Sequence, residues 1–141
     1  MPQTTIIPSE GKTRLATMMF GPGALVDDPM SLRLYKNNYV VGESTTWSDL
    51  VEADYAGYAR VPLTRSGWVQ AFDPMLNLVI GWPVPLDFTA TAGEQVVYGC
   101  VAACDDDDTI LGACTFALAI TIQSGVSFAR VLPTFQIADF A

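Results

Sequence analysis

Four consecutive aspartates, Asp105–Asp108, separate two β-rich runs in the second half of the chain. The runs are Glu94–Cys104 and Thr109–Phe116, and both are rich in small apolar, β-branched and aromatic residues. Two such runs joined by a short polar segment predict a long β-hairpin with the aspartates at its tip. Because the first run is apolar on both faces, we expect a second sheet or a neighbouring subunit to cover each face.

Strand-like segments also account for most of the remaining chain. With 11 Gly and 9 Pro available as turn residues, the spacing predicts about eight or nine short strands, including one at Thr13–Phe20. Thr46 and Asp49 have the form of a capping box, which predicts one short helix from Trp47 to about Ala53.

The predicted strands and turns together define an expected fold class and a domain division. Short strands at this spacing are typical of an all-β fold, either a β-sandwich or a jelly roll with one short helix. The expected organisation is an N-terminal arm at residues 1–12, followed by a single β-sandwich domain at residues 13–141.

The chain contains three cysteines, Cys100, Cys104 and Cys114. An odd number does not suit a disulfide framework, and Cys100 and Cys104 alone provide too few ligands for a structural zinc. The expected state is free, buried thiols. If Asp105–Asp108 forms the hairpin turn, Cys100 falls opposite Cys114 or one place from it, within reach of a cross-strand disulfide.

The run Asp105–Asp108 is the only concentrated charge in the sequence. Ca²⁺ takes six to eight oxygen ligands, but this run lacks the alternating ligands and the glycine of an EF-hand loop. The expected role is a solvated tip that discourages edge-to-edge aggregation. A weak Ca²⁺ or inter-subunit role is the alternative, and we expect no resident metal or cofactor.

Several function classes are excluded or disfavoured by composition. The chain has no histidine, which excludes Ser-His-Asp and Cys-His catalytic pairs and His-ligated zinc. No Walker, dinucleotide-binding or metalloprotease motif is present, so we expect no enzyme activity. A net charge of −8 argues against nucleic-acid binding. With no apolar run long enough for a membrane span and no signal-peptide pattern, we expect cytoplasmic synthesis and no membrane partner.

The tryptophans Trp68 and Trp82 lie in segments rich in Gly, Pro and polar residues. Aromatic side chains in loops are candidates for sugar binding, although aromatic residues in cores are more common. A ligand-facing role for these two residues is therefore the alternative to a core role.

One segment follows a pattern of strand, loop and turn residues that a known group of proteins shares. The pattern is a strand ending Leu-[Tyr/Phe]-x-Asn, a variable loop, the run Thr-Thr-x-x-Asp-Leu-x-Glu-Ala-x-[Tyr/Phe]-x-Gly-Tyr, and a further strand. Twelve residues carry it here: Leu34, Tyr35, Asn37, Thr45, Thr46, Asp49, Leu50, Glu52, Ala53, Tyr55, Gly57 and Tyr58. The run Val96–Val101 and the strand-like Ile110–Phe116 give a second match. On these residues the chain resembles a group of small virion proteins of tailed bacteriophages.

The resemblance implies a non-enzymatic structural protein of a phage virion, made in the cytoplasm of the host bacterium. The function we expect is capsid decoration or head association, stabilising the shell through subunit contacts. The expected partners are other virion proteins, either the major capsid protein or tail and fibre proteins, and copies of the chain itself, with a trimer as the expected form. A tail or fibre module that binds a host surface glycan is the alternative.

Two terminal segments are the expected assembly interfaces under this hypothesis. One belongs to the N-terminal arm and the other to the last strand, and both are apolar enough to pack against a neighbour. The interface residues that we expect are Thr4, Ile6, Ile7, Phe135, Ile137 and Phe140.

Overall fold

A computed structural model describes residues 4–20, 29–63, 69–73, 77–81, 85–131 and 134–137. Its antiparallel sheets and single short α-helix confirm the predicted all-β class. The helix α1 spans Ser9–Phe20, and a 3₁₀ turn spans Trp47–Asp49. The strands are β1 (Thr4–Ile6), β2 (Met30–Tyr35), β3 (Val61–Leu63), β4 (Val69–Asp73), β5 (Asn77–Gly81), β6 (Leu86–Phe88), β7 (Glu94–Cys104), β8 (Ile110–Gln123), β9 (Ala129–Val131) and β10 (Thr134–Ile137).

The largest sheet has five strands in the order β1-β8-β7-β2-β3. Strands β7 and β8 form the predicted hairpin, with Asp105–Asp108 at the connection, and β8 continues beyond the predicted end to Gln123. Strand β2 lies on the other side of β7, so that Leu34 is the register partner of Cys100. Strand β7 is therefore central, as its two apolar faces predict.

The β7–β8 ladder contains a large irregularity. Val97 pairs with Ile120, but Gly99, only two residues later, pairs with Thr115. The four residues 116–119 of β8 therefore lie opposite the single residue Tyr98, which makes a bulge with three extra residues. Regular pairing resumes on both sides of this bulge.

The two faces of the large sheet have separate cores. On one face, Leu32 and Leu34 pack with Cys100 and with Phe88 and Ala129 of the two-stranded β6–β9 sheet. On the other face, the chain between β2 and β3 supplies Val41 and Leu50, which pack with Tyr35, Val101, Ile110 and Ala113. The third sheet has the order β10-β5-β4.

The prediction of a strand at Thr13–Phe20 is wrong, because this segment belongs to helix α1. Its Leu, Ala, Met and Arg residues all have high helix propensity, and Glu10 favours the positive N-terminal end of the helix. Gly11 lets the helix approach β8: a Cβ atom at this position would clash with the carbonyl oxygen of Ile110. The Glu10 carboxylate also accepts a hydrogen bond from the Ile110 N–H at 3.0 Å.

The helix predicted from Trp47 to about Ala53 is only a single 3₁₀ turn. The Thr46 N–H donates to the Asp49 carboxylate at 2.9 Å, as the capping-box pattern predicts. After Asp49 the backbone becomes extended, because the following residues pair with β2: the Lys36 N–H donates to the Val51 carbonyl, and the Ala53 N–H donates to the Leu34 carbonyl. Tertiary pairing here overrides the local helix signal.

The described part of residues 1–12 is not an extended arm. Thr4–Ile6 form the edge strand β1, in which Thr5 is the register partner of Cys114, and Ser9 already begins helix α1. Ile7 is buried in the larger of the two cores, which we call the main core and which contains Leu32 and Leu34. The segment packs on its own chain because its backbone groups find partners along β8. In the described residues, no helix is long and apolar enough to cross a membrane.

Candidate functional site

A buried arginine holds the hairpin tip against strand β2. The Arg33 side chain is 0% exposed, and its Nη1 donates to Asp108 Oδ1 at 2.7 Å. Its Nη2 donates to Asp105 Oδ1 at 3.0 Å and to the Cys104 carbonyl at 3.2 Å, while its Nε donates to Ser31 Oγ at 3.0 Å. A buried charge needs such partners, because an unpaired one costs several kcal/mol.

The aspartate run is therefore a set of ion pairs rather than a purely solvated tip. Asp105 lies 3.8 Å from Arg60, and Asp107 pairs with Arg14 of helix α1 at 3.2 Å. Asp106 is exposed. Burial disfavours the charged form of Asp105, but hydrogen bonds from Ser31 and Arg33 outweigh it and lower the pKa of its carboxyl group. Within the described segments, no group of three or more Cys, Asp and Glu residues could hold a metal ion.

We call Asp105–Asp108 together with Arg33 the acidic tip. Trp47 packs against its arginine. The guanidinium carbon of Arg33 lies 4.8 Å from the centre of the Trp47 ring, which is a cation–π distance. The acidic tip thus joins the hairpin connection, β2 and the 3₁₀ turn. These contacts stabilise the fold, because they pair the buried charge of Arg33.

A second polar cluster surrounds Glu52. Arg60 binds the Glu52 carboxylate with two hydrogen bonds of 2.8 and 2.9 Å, and the Tyr58 hydroxyl donates to Glu52 Oε1 at 2.9 Å. The same hydroxyl accepts a hydrogen bond from the Leu34 N–H at 3.3 Å. Burial opposes ionisation of Glu52, but these hydrogen bonds outweigh it and lower the pKa of its carboxyl group. Burial also raises the pKa of Tyr58.

Tyr55 lies next to this cluster with its ring edge-on to Tyr58, the ring centres 5.4 Å apart. Its side chain is 7% exposed, and its hydroxyl has no hydrogen-bond partner among the described residues. Burial raises the pKa of Tyr55 to about 12. A neutral hydroxyl in this position contributes packing but no hydrogen bond.

The opposite end of the β7–β8 hairpin has a different character. We call it the apolar end and define it as residues 94–97 and 116–128. Leu118 in the bulge is 79% exposed, and Val126 in the turn after β8 is 76% exposed; Val96 and Phe128 are also exposed. The described part of the chain exposes six large apolar side chains, and four of them lie at this end.

The apolar end is also almost free of charge. The sequence has no charged residue from Thr109 to Ala129, and in β7 only Glu94 is charged. Exposed apolar side chains with few charges among them are typical of a surface that contacts another molecule. The bulge increases this exposure because it pushes residues 116–119 out of the ladder.

Most of the expected interface residues lie on strands β1 and β10, and these two strands contact each other. Ile7 is in the main core, and Ile6 packs partly against the second core, while Thr4 pairs through its backbone with Thr115. Phe135 and Ile137 lie on strand β10, whose register partners are in β5. The expected interface residue Phe140 and the ligand-facing candidates Trp68 and Trp82 lie outside the described residues.

Sequence reasoning missed both Arg33 and Leu118. Arg33 stands in an alternating strand, where a charged residue normally faces solvent, and nothing local indicates that it is covered. Leu118 had a usable signal, because the charge-free run from Thr109 to Ala129 is longer than the predicted strand that ends at Phe116. The bulge that exposes Leu118 arises from the pairing register, which the sequence does not display.

No protein-family model matches the chain, and no curated protein or solved structure matches it either. The resemblance to virion proteins of tailed phages therefore stays a prediction. Its motif residues do have defined structural roles here. Asp49 caps the 3₁₀ turn, Glu52 and Tyr58 belong to the second polar cluster, and Gly57 has a φ of 89°, which favours glycine.

Proposed function

We propose that the chain is a non-enzymatic structural protein of a tailed-phage virion, a capsid decoration or head-associated protein. In this proposal the apolar end docks on the virion shell and stabilises it by subunit contacts. The observation that carries the proposal is the exposure of Leu118 and Val126 at the apolar end, whose residues 94–97 and 116–128 include one charged residue, Glu94. Such a surface gains free energy only when another molecule covers it.

The energetics favour Leu118 as the centre of the contact. Burying a leucine side chain completely gains roughly 1.5–3 kcal/mol, and the exposed side chains of Val96 and Phe128 at the same end of the hairpin offer further apolar area. A virion shell presents the same site many times. A modest affinity at each site is therefore sufficient to stabilise the shell as a whole. The net charge of −8 also suits an outer virion protein, because it disfavours binding to the packaged genome.

The first experiment asks whether the chain belongs to the particle. Particles of a phage that encodes the chain are purified from a lysate on a density gradient. They are then probed with an antibody against the recombinant protein. We expect the protein to sediment with DNA-filled particles, and gold labelling to place it on the head. Its absence from purified particles would refute the virion role, and labelling confined to the tail would refute head association.

The second experiment tests the docking surface with matched variants. We expect Leu118→Asp to reduce retention on particles about tenfold or more, because it places a charge in a contact that excludes water. The control is Val51→Asp, which changes an exposed apolar residue outside the apolar end and should leave retention unchanged. Retention of the folded Leu118→Asp variant at wild-type occupancy would show that the apolar end is not the interface.

A further inference from the structure

Two of the three cysteines face each other across the central hairpin. Cys100 of β7 and Cys114 of β8 are direct register partners and lie on the same face of the sheet. Both side chains are buried, 2% and 6% exposed, and no disulfide joins them. The third cysteine, Cys104, has a different register partner, Met30 of β2.

Direct register partners satisfy the main geometric condition for a disulfide. Opposite residues in antiparallel strands have their Cα atoms about 4.5–5.5 Å apart, and disulfide-bonded cysteines have Cα atoms about 4.4–6.8 Å apart. A bond between Cys100 and Cys114 therefore requires little movement of the backbone. Cys104 instead lies opposite Met30 on the other neighbouring strand, β2.

We propose that Cys100 and Cys114 form an oxidation site, closed as a cross-strand disulfide when the chain folds in an oxidising thiol–disulfide environment. One thiolate attacks a small-molecule disulfide such as oxidised glutathione, which forms a mixed disulfide and releases one thiolate. The second cysteine then attacks the mixed disulfide and releases the other. The cysteine pair loses two electrons and two protons, and two molecules of reduced glutathione carry them away.

The surroundings of the pair slow its oxidation once the chain has folded. Hydrogen bonding to Cys114 and burial raise the pKa of the Cys100 thiol, so few molecules carry the reactive thiolate at neutral pH. In addition, Thr5 of β1 pairs with Cys114 and covers that edge of β8. Exchange therefore takes place before β1 docks or while the hairpin is transiently open.

The disulfide would join the two strands of the hairpin between the acidic tip and the bulge. It closes a loop over residues 101–113, which includes the aspartates bound to Arg33. It also fixes the register next to the bulge at residues 116–119. The reduction in freedom of the unfolded chain is expected to raise the melting temperature by roughly 5–10 °C.

The test is a thiol count after refolding from urea in a mixture of oxidised and reduced glutathione. Free thiols are alkylated under denaturing, non-reducing conditions and counted by intact mass. We expect one alkylated thiol in the wild type, none in Cys104→Ala, and two in Cys100→Ala and in Cys114→Ala. Peptide mapping should join the peptides that contain Cys100 and Cys114.

Two results would overturn the proposal. Three free thiols in the refolded wild type would show that the pair does not oxidise, and a linked peptide that contains Cys104 would show that the pairing is wrong. The wild-type count needs no substitution, so the test does not depend on the folding of any variant. It is also independent of whether the chain belongs to a virion.

Discussion

Two tyrosines three positions apart differ in how their hydroxyl groups are satisfied. Tyr58 donates to Glu52 and accepts from the Leu34 N–H, whereas Tyr55 is buried without a partner among the described residues. A buried polar group without a hydrogen bond costs free energy, while a bonded one repays its desolvation. The two residues therefore make a matched pair in which the same substitution should have different effects.

We expect Tyr58→Phe to lower the free energy of unfolding by about 1–3 kcal/mol, because it leaves the buried Leu34 N–H without its acceptor and removes one of the two hydrogen bonds that Glu52 Oε1 accepts. Tyr55→Phe should leave stability unchanged or raise it by up to about 1 kcal/mol. Urea unfolding followed by tryptophan fluorescence measures both variants. An equal loss in the two variants would contradict the assigned hydrogen bonds.

Among the elements, the β7–β8 hairpin was the most predictable and the helix the least. Two β-rich runs around Asp105–Asp108 were sufficient to predict the hairpin and its tip. The segment Thr13–Phe20 was misassigned because its apolar residues suit either a strand or a helix, and the contact that favours the helix, Gly11 against Ile110, comes from distant sequence. The acidic tip depends on the same kind of distant contact, between Arg33 and the hairpin connection.

The acidic tip can be tested by neutralising the partners of Arg33. We expect the double variant Asp105→Asn/Asp108→Asn to lose about 2 kcal/mol of stability, less than for a fully buried pair because both carboxylates are partly exposed. Asp106→Asn is the matched control and should change stability by less than about 0.5 kcal/mol. The midpoint of urea unfolding at neutral pH distinguishes the two.

The stabilisation by Asp105 should also depend on pH. Its pKa is lower in the folded state, so its contribution is complete above the unfolded-state pKa of about 3.9 and is lost as the pH falls through the lower, folded-state value. The difference in stability between the wild type and the single variant Asp105→Asn should therefore shrink below about pH 4. A difference that stays constant down to pH 2.5 would show that the charge of Asp105 is not responsible.

On the scale of the whole molecule, charge and apolar exposure are separated along the described β7–β8 hairpin. Three of the seven basic residues lie within ion-pair distance of the aspartates at the hairpin tip: Arg14, Arg33 and Arg60. The other end of the same hairpin exposes Leu118 and Val126 and carries almost no charge. Composition predicts only that the surface is poor in charge. The position of the apolar end follows from the bulge and from the pairing of distant strands, which sequence patterns do not reveal.

This separation predicts how self-association responds to salt. If copies of the chain meet at the apolar end, the net charge of −8 opposes their approach, and added salt screens that repulsion. We expect the mass measured by light scattering at micromolar concentration to rise between about 20 and 300 mM salt, an effect that follows from screening. The Leu118→Asp variant should remain at its low-salt mass, and a mass that falls with salt would indicate association through ion pairs instead.

The pairing of β1 with β8 also sets an order of events during synthesis. Thr4–Ile6 leave the ribosome about 110 residues before their partners Ala113–Thr115. At roughly 5–20 residues per second, this strand waits about 5–20 s for the edge on which it docks. A nascent chain arrested before Ala113 would therefore carry β1 with no strand to receive it, and the five-stranded sheet is completed only after the second strand of the hairpin has emerged.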